Sequence, residues 1–355
     1  MFVKNTWYVA AWAEEVTREL MSRKFLNTPV VMYRTEKGEP VALEDACPHR
    51  YYPLSKGVLK GDSIQCGYHG MVFGCSGKCE RIPGQEQIPK SAKVRSFPMV
   101  ERWGWLWIWM GDPELADPEK IIDIPQLRTD QWHQIKGERI YYKGSYKLML
   151  DNLLDPSHVP FVHPTIFSSG NEAEYPVDTA SHNGFVTVSR MVPKANVPPI
   201  FRTIKADLPE KMDRYQVYRV SPPSLCVIET GVVETGDWKS VVMKEDTLTE
   251  APAVPEGDER KVYSIRGFDF MTPETESTTH YFWFLVTNVG VGDEQVKEKL
   301  RQQGIAAFAE DIEVVEGIQA RVEQGNLPPQ SVIGIDRGYI QLHRMLEKML
   351  EAEKA

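Results

Sequence analysis

From Val30 to Met110 the apolar residues come in short runs, such as Val30-Val31-Met32-Tyr33 and Trp105-Leu106-Trp107-Ile108-Trp109. Glycines at positions 38, 57, 61, 77 and 84 break them up. Short β-rich runs between turn formers predict strands, so this stretch reads as a small antiparallel β domain. After Gly111 the composition shifts to Pro, Asp and Glu through Asp112-Pro113 and Asp117-Pro118, which predicts domains over 1–116 and 117–355. Beyond that boundary the period changes. Tyr146–Leu154 repeats apolar residues at helical spacing, Phe185–Val192, Tyr215–Val220, Leu225–Glu229 and His280–Val289 read as strands, and Asp293–Gln324 and Gly338–Ala355 are long amphipathic stretches. Such elements must bury their apolar faces against one another, so the second domain is expected to be α+β, with long helices packed on an antiparallel sheet.

Length agrees with two domains: 355 residues exceed the usual single-domain size. With 42% apolar and 26% charged residues, disorder and fibrous classes are excluded. A net charge of −9 without a basic run argues against nucleic acid as a partner, because cationic side chains must neutralise its phosphates. Met1–Ala13 lacks the pattern of a secretory signal, and the densest apolar stretch, Trp103–Met110, is too short to cross a bilayer. A cytoplasmic protein with no membrane partner is therefore expected. Five cysteines are an odd number for a disulfide framework, and four of them crowd between positions 47 and 79, which points to metal binding or chemistry.

Two of those cysteines are each followed closely by a histidine: Cys47-Pro48-His49, sixteen residues, then Cys66-Gly67-Tyr68-His69. Two such loops side by side supply two thiolates to one iron and two imidazoles to the other, the ligand set of a Rieske [2Fe–2S] centre. A structural zinc ion with two Cys and two His ligands is the alternative, although zinc fingers usually pair like with like. Gly67, Gly70 and Gly74 are expected where backbone comes close to sulfur. Cys75, Cys79 and Cys226 read as ordinary small thiols in the core or partly exposed.

A second constellation lies in Leu150–His163, where His158 and His163 are five residues apart. On a regular helix they would point roughly 140° apart, but Pro160 between them is expected to disrupt the helix and let an irregular turn bring both imidazoles to one point. Two histidines and one carboxylate, with the remaining positions open, form the facial triad of non-haem Fe(II) oxygenases. The candidate carboxylate is Asp311, which shares a helical face with Phe308 and Val315 and would otherwise be a charge on an apolar stripe. Glu310 and Glu313 read as solvated neighbours.

Cys47-Pro48-His49-Arg50 with Cys66-Gly67-Tyr68-His69-Gly70 resembles the Rieske signature of ring-hydroxylating oxygenases, and Asn152–His163 resembles their iron-binding stretch. The similarity runs from Asn5-Thr6-Trp7-Tyr8-Val9-Ala10 through Thr272-Pro273-Glu274-Thr275 to the last helix. The resemblance implies a Rieske β domain followed by a helix-grip catalytic domain, that is, an antiparallel sheet plus long helices. Cys47, His49, Cys66 and His69 would hold the cluster, and His158, His163 and Asp311 a mononuclear Fe(II). It also implies O2 as co-substrate, a small aromatic substrate, and NADH-derived electrons from a separate reductase carrying flavin and a plant-type [2Fe–2S] cluster. Subunits would form a head-to-tail homotrimer in which Asp155 bridges His69 of one subunit to His158 of the next, with Asn152 a supporting residue behind the iron.

Within that family the chain looks closest to the vanillate O-demethylase, dicamba demethylase and toluenesulfonate methyl-monooxygenase group, which hydroxylates a methyl or methoxy carbon. Where the dicamba-type enzymes carry a substrate-contacting His, this chain has Asp269. Facing the pocket, Asp269 would accept a hydrogen bond from a phenol or amine and repel a carboxylate. The alternatives are a ring dioxygenase with the same metal ligands, a non-catalytic Rieske electron carrier, which would have no use for His158, His163 and Asp311, and a zinc-stabilised binding module.

Overall fold

The computed structural model describes residues 1–182, 184–235, 247–250 and 261–354. They form two compact units, one of Met1–Ile122 with Thr272–Glu276, the other of Asp123–Met271 and the chain from Ser277 onward.

The first unit is all β. Trp7–Trp12, Trp105–Trp109 and Met99–Arg102 make a three-stranded sheet, and two four-stranded sheets carry the segments on either side of the metal-ligand loops. Every residue of Trp105–Trp109 is buried, so the run shows no alternation: both of its faces are covered. Trp7 packs edge-on against Trp109 at 5.4 Å and Trp12 lies 5.0 Å from Trp105. The indole N–H of Trp7 donates to the Asp117 carbonyl, that of Trp103 to Ile122, and Arg102 donates to Pro118. These bonds keep residues 117–122 with the first unit, past the point where composition changes.

The second unit is built on a seven-stranded antiparallel sheet: β1 (His133–Tyr142), β2 (Asp178–His182), β3 (Phe185–Asn196), β4 (Lys211–Ser221), β5 (Leu225–Val233), β6 (Val262–Thr275) and β7 (Thr278–Thr287), in the order β1-β7-β6-β5-β4-β3-β2. The last residues of β6 count with the first unit. Helices α1 (Tyr146–Leu154), α2 (Val159–Val162), α3 (Pro199–Ile204), α4 (Glu294–Glu323) and α5 (Arg337–Ala352) accompany it. The four expected strand runs and the three expected helical stretches, two of them long, are present. Strands β1, β2 and β6 were not expected, for a physical reason. In β1 the inward positions include His133 and Gly137, because a Cβ at Gly137 would fall 2.3 Å from the Trp283 ring, and in β6 Arg266 and Asp269 are fully buried. Polar or tiny residues on an inward face hide the period-2 signal.

Helix α4 starts where Asp293 accepts from the backbone N–H groups of Gln295 and Val296, an N-cap that satisfies two otherwise orphaned donors. Its buried residues, including Leu300, Gly304, Ala307, Phe308, Asp311 and Val315, follow the helical period along one face. Phe308 packs on Trp283 at 4.9 Å and edge-on to Tyr281 at 5.2 Å, which fixes the helix against β7 and sets the position of Asp311.

Candidate metal centres

In the first unit the strands Pro40–Glu44 and Ser63–Gln65 each run into one of the two ligand loops. Each loop is closed by its own backbone. Cys47 N–H donates to the Tyr52 carbonyl and Cys66 N–H to the Met71 carbonyl, while the Cys47 and Cys66 carbonyls accept from Tyr51 and Gly70. Both cysteines are 2% exposed, among Leu43, Leu54, Ile64 and Phe73. His49 and His69 are exposed, with ring centroids 4.4 Å apart. Burial pushes the Cys47 thiol up to about 11, with the neighbouring Cys66 thiol adding to it, while the backbone N–H groups of His49 and Arg50 favour the anionic sulfur. Two sulfurs on the inside and two imidazoles at the surface, with amides aimed at a sulfur, form a donor set that fits a Rieske cluster.

The first loop is clamped by Asp45, which is 6% exposed and accepts from the Ser22 hydroxyl at 2.7 Å and from the Ser55 N–H and hydroxyl at 2.7 and 2.6 Å. The loop glycines answer to other neighbours than sulfur. A Cβ at Gly67 would meet the Lys56 carbonyl at 2.8 Å, one at Gly74 the Glu80 carboxylate at 2.1 Å, and Gly70 adopts φ 73°. Cys79 and Cys226 are buried and Cys75 is exposed.

In the second unit α1 ends at Leu154, and the next turn delivers Asp155 and His158. Pro160 does not interrupt a helix. It sits in the first turn of α2, where a missing N–H leaves no bond unmade, and α2 lasts one turn. His158 stands before α2 and His163 after it, at φ −116° and ψ 48°, so the two imidazoles escape helical geometry by flanking the helix. His163 Nε2 lies 3.1 Å and His158 Nε2 3.4 Å from Asp311 Oδ1 on α4. One ligand atom from each of the three residues lies within 4.8 Å of the others. Burial pushes His158 down despite Asp311, which favours the neutral imidazole that ligates metals. Burial alone would lower His163 too, but Asp311 and Glu310 together push it up. Two imidazoles and a carboxylate bordering one cavity fit a facial triad for Fe(II).

Glu310 is not merely solvated. Its Oε2 lies 2.6 Å from His163 Nδ1, so consecutive carboxylates of α4 grip both nitrogens of one ring. Spacing could not show this, because it depends on where the His163 ring enters the helix face. Asp155 Oδ1 accepts from Ser157 N–H at 2.7 Å, and its charge and backbone act on His158, whose Nδ1 is buried without a hydrogen-bond partner among the described residues. Arg190 of β3 braces this turn through the Pro156 carbonyl at 3.3 Å and the Ser157 hydroxyl at 2.8 Å. The Asn152 carbonyl accepts from Asp155 N–H, and Asn152 is not part of the cavity wall.

The cavity beside the triad has a volume of about 70 Å³ and mostly apolar walls, among them Leu153, Phe167, Ile228, Ile265, Leu285 and Phe308. Asp269, fully buried, lines it. Tyr281 donates to its Oδ1 at 2.8 Å, its Oδ2 has no partner among the described residues, and burial pushes its pKa up to about 8. Burial thus favours the uncharged acid, which can donate a hydrogen bond, and so weakens the repulsion of a carboxylate expected from sequence. Sequence reasoning missed two further wall residues, Arg214 and Tyr218 of β4. Their signal was the polar series Arg214, Gln216, Tyr218 at alternate positions of one strand, three polar groups on a single face between Met212 and Val220.

Among the described residues no helix is long and apolar enough to cross a membrane. Residues 142–352 match the vanillate O-demethylase oxygenase C-terminal domain and residues 6–98 the Rieske [2Fe–2S] domain. The chain is 41% identical to a putative toluene-4-sulfonate monooxygenase system iron-sulfur subunit of Comamonas testosteroni, over 99% of this chain and 98% of that one. It is 34% identical to the vanillate O-demethylase oxygenase subunit of Pseudomonas sp. strain HR199, over 100% and 96%. The crystal structure of dicamba monooxygenase bound to 3,6-dichlorosalicylic acid superposes with a TM-score of 0.85 at 30% identity, covering 100% of this chain and 99% of that one. With both domains and both donor sets in one polypeptide, the chain belongs to the Rieske-type non-haem iron monooxygenases of the vanillate O-demethylase group.

Proposed function

We propose that this chain is the terminal oxygenase of a multicomponent system that hydroxylates a methyl or methoxy carbon of a small aromatic substrate, using O2 and electrons drawn from NADH by a separate flavin and plant-type [2Fe–2S] reductase. The observation that carries the reading is the convergence of His158, His163 and Asp311 on the wall of one apolar cavity. Relatives named for toluene-4-sulfonate, vanillate and dicamba support the substrate class. Free cysteines throughout are in keeping with a cytoplasmic enzyme.

When bound, the two groups would supply stored electrons and an oxygen-activating iron. The protein does the rest. Cys47, Cys66, His49 and His69 hold the cluster, with both imidazoles at the surface where a second protein surface can reach them. His158, His163 and Asp311 would hold the iron, and Glu310 fixes the His163 ring so that its Nε2 faces Asp311. Apolar walls keep water from the reacting carbon, and Asp269 offers a hydrogen bond to a polar substituent. Asp155, held by Ser157 and braced by Arg190, is the bridge that links His158 to His69 of a neighbouring copy in a head-to-tail homotrimer.

The test is product analysis with reductase, NADH, O2 and a panel of methylated and methoxylated aromatic compounds. A benzylic alcohol, or a phenol with formaldehyde, is expected, whereas a cis-diol would make the chain a ring dioxygenase. Asp155→Asn should keep both metals but slow reoxidation of the reduced cluster, measured in a single turnover; an unchanged rate removes the bridge.

A further inference from the structure

We propose that Arg214, with the Tyr218 hydroxyl, anchors an acid group on the substrate, a carboxylate or a sulfonate, and so selects which aromatic compounds this site takes. The inference rests on the cavity beside His158, His163 and Asp311 being the substrate pocket, and it deepens that reading.

Arg214 lines the cavity and its side chain is 1% exposed. A guanidinium has five N–H donors in a rigid plane. Only Nη1 is engaged, by Glu172 Oε1 at 3.0 Å and the Ser169 hydroxyl at 2.9 Å. Among the described residues Nε is buried with no hydrogen-bond partner, and both hydrogen bonds of the guanidinium are made by Nη1, not Nη2. Nε and Nη2 share one edge of the plane and present parallel donors, the shape that an oxyanion engages through two oxygens. Burying such an edge unused is unfavourable, so its place on a cavity wall calls for a ligand that supplies acceptors.

Tyr218 lies on the same face of β4, and Arg214 lies close enough to act on it electrostatically. Its oxygen accepts from Gln216 Nε2 at 3.0 Å, which leaves its own proton free to donate into the cavity. The charge balance also favours an anion. Arg190 and Arg214 are two neighbouring buried cations, among the described residues only Glu172 pairs directly with either, and Asp155 acts on Arg190 through space. Glu172 is itself occupied by the Ser169 N–H. Across the sheet Asp269 pairs with Cys226 and Cys226 with Val220, so Asp269 stands six residues along the strand from Arg214. The acid group of a bound substrate would therefore lie away from Asp269.

The experiment is equilibrium binding to the anaerobic holoenzyme, comparing 4-methylbenzoate and 4-methylbenzenesulfonate with the neutral amides 4-methylbenzamide and 4-methylbenzenesulfonamide. Wild type should bind at least one acid about tenfold or more tighter than its amide, since charged hydrogen bonds carry factors of this size. Replacing Arg214→Gln together with Glu172→Gln, so that no buried carboxylate is left unpaired, should weaken that acid about 10- to 100-fold and leave the amides within about threefold. Arg214→Lys, which keeps the charge and loses the fork, should fall between. Equal binding of acid and amide by wild type overturns the anchor without needing any variant. Equal weakening of both by the double variant overturns it too, and leaves Arg214 only a brace for the Glu172 loop. Product analysis separates the two readings: an acid preference with a cis-diol product refutes the proposed reaction and spares the anchor, and methyl hydroxylation without an acid preference does the reverse.

Discussion

Replacing Glu310 with Ala removes one of two carboxylates that hold a single imidazole, and the structure sets the size of the effect. Glu310 Oε2 approaches His163 Nδ1 to 2.6 Å, a charge-assisted distance, and the ring is 3% exposed while the Glu310 side chain is 38% exposed. Orienting carboxylates behind a ligating histidine typically contribute 10- to 100-fold in metal affinity, or about 1.4–2.7 kcal/mol. Because water screens a carboxylate this exposed, the lower end applies: about tenfold weaker Fe(II) binding. Asp311→Ala, which deletes a proposed ligand, should abolish tight binding altogether. The assay is an anaerobic Fe(II) titration of protein that keeps its cluster but has been stripped of mononuclear iron. Should Glu310→Ala bind Fe(II) within about twofold of wild type, Glu310 is a surface neighbour and the two-sided grip on His163 is wrong.

Asp45→Ala strands three donors around the first cluster loop and should destabilise the first unit by about 3 kcal/mol, read by denaturant unfolding followed at the cluster absorbance; Asp45→Asn, which keeps an acceptor, should lose less, and equal losses would contradict the clamp. Gly304→Ala gains about 1 kcal/mol of helix propensity, but its Cβ would sit 3.1 Å from the fully buried Trp283 ring. The two effects should nearly cancel in Tm while the bulkiest substrates bind less well, and a Tm loss above about 5 °C would show that the ring cannot yield. His343 of α5 contacts Asp151 of α1 at 2.9 Å, and this partner raises the His343 pKa, outweighing burial. Its contribution to stability is full below the unfolded value of about 6.5 and fades as pH rises through the folded value; Asp151, raised by burial, acts in the same direction. His343→Gln should flatten the pH dependence of Tm as pH rises above about 6.5, and an unchanged slope would exclude the pair as its source.

Much of the site was legible because its signals are local. Cys47-Pro48-His49 and Cys66-Gly67-Tyr68-His69 put mixed ligand pairs in two loops, and Asp311 interrupts an apolar face whose period needs only α4 itself to be seen. The reason that His158 and His163 converge was less legible. Pro160 suggested a broken helix, whereas it opens a one-turn helix with a histidine at each end. Spacing gives the number of residues between two side chains and not the path taken between them.

The chain alone determined the candidate donor pairs, the long helices and a β domain followed by an α+β one, since hydrophobic period, turn formers and motif spacing are properties of neighbouring residues. Tertiary structure alone decided which carboxylate faces which ring nitrogen, that Asp269 is buried with its pKa raised, and that Arg214 borders the cavity with its Nε unpartnered among the described residues. Each of these depends on groups brought from strands and helices tens to hundreds of residues away. Burial and charge environment are set by such distant neighbours, and no local pattern records them.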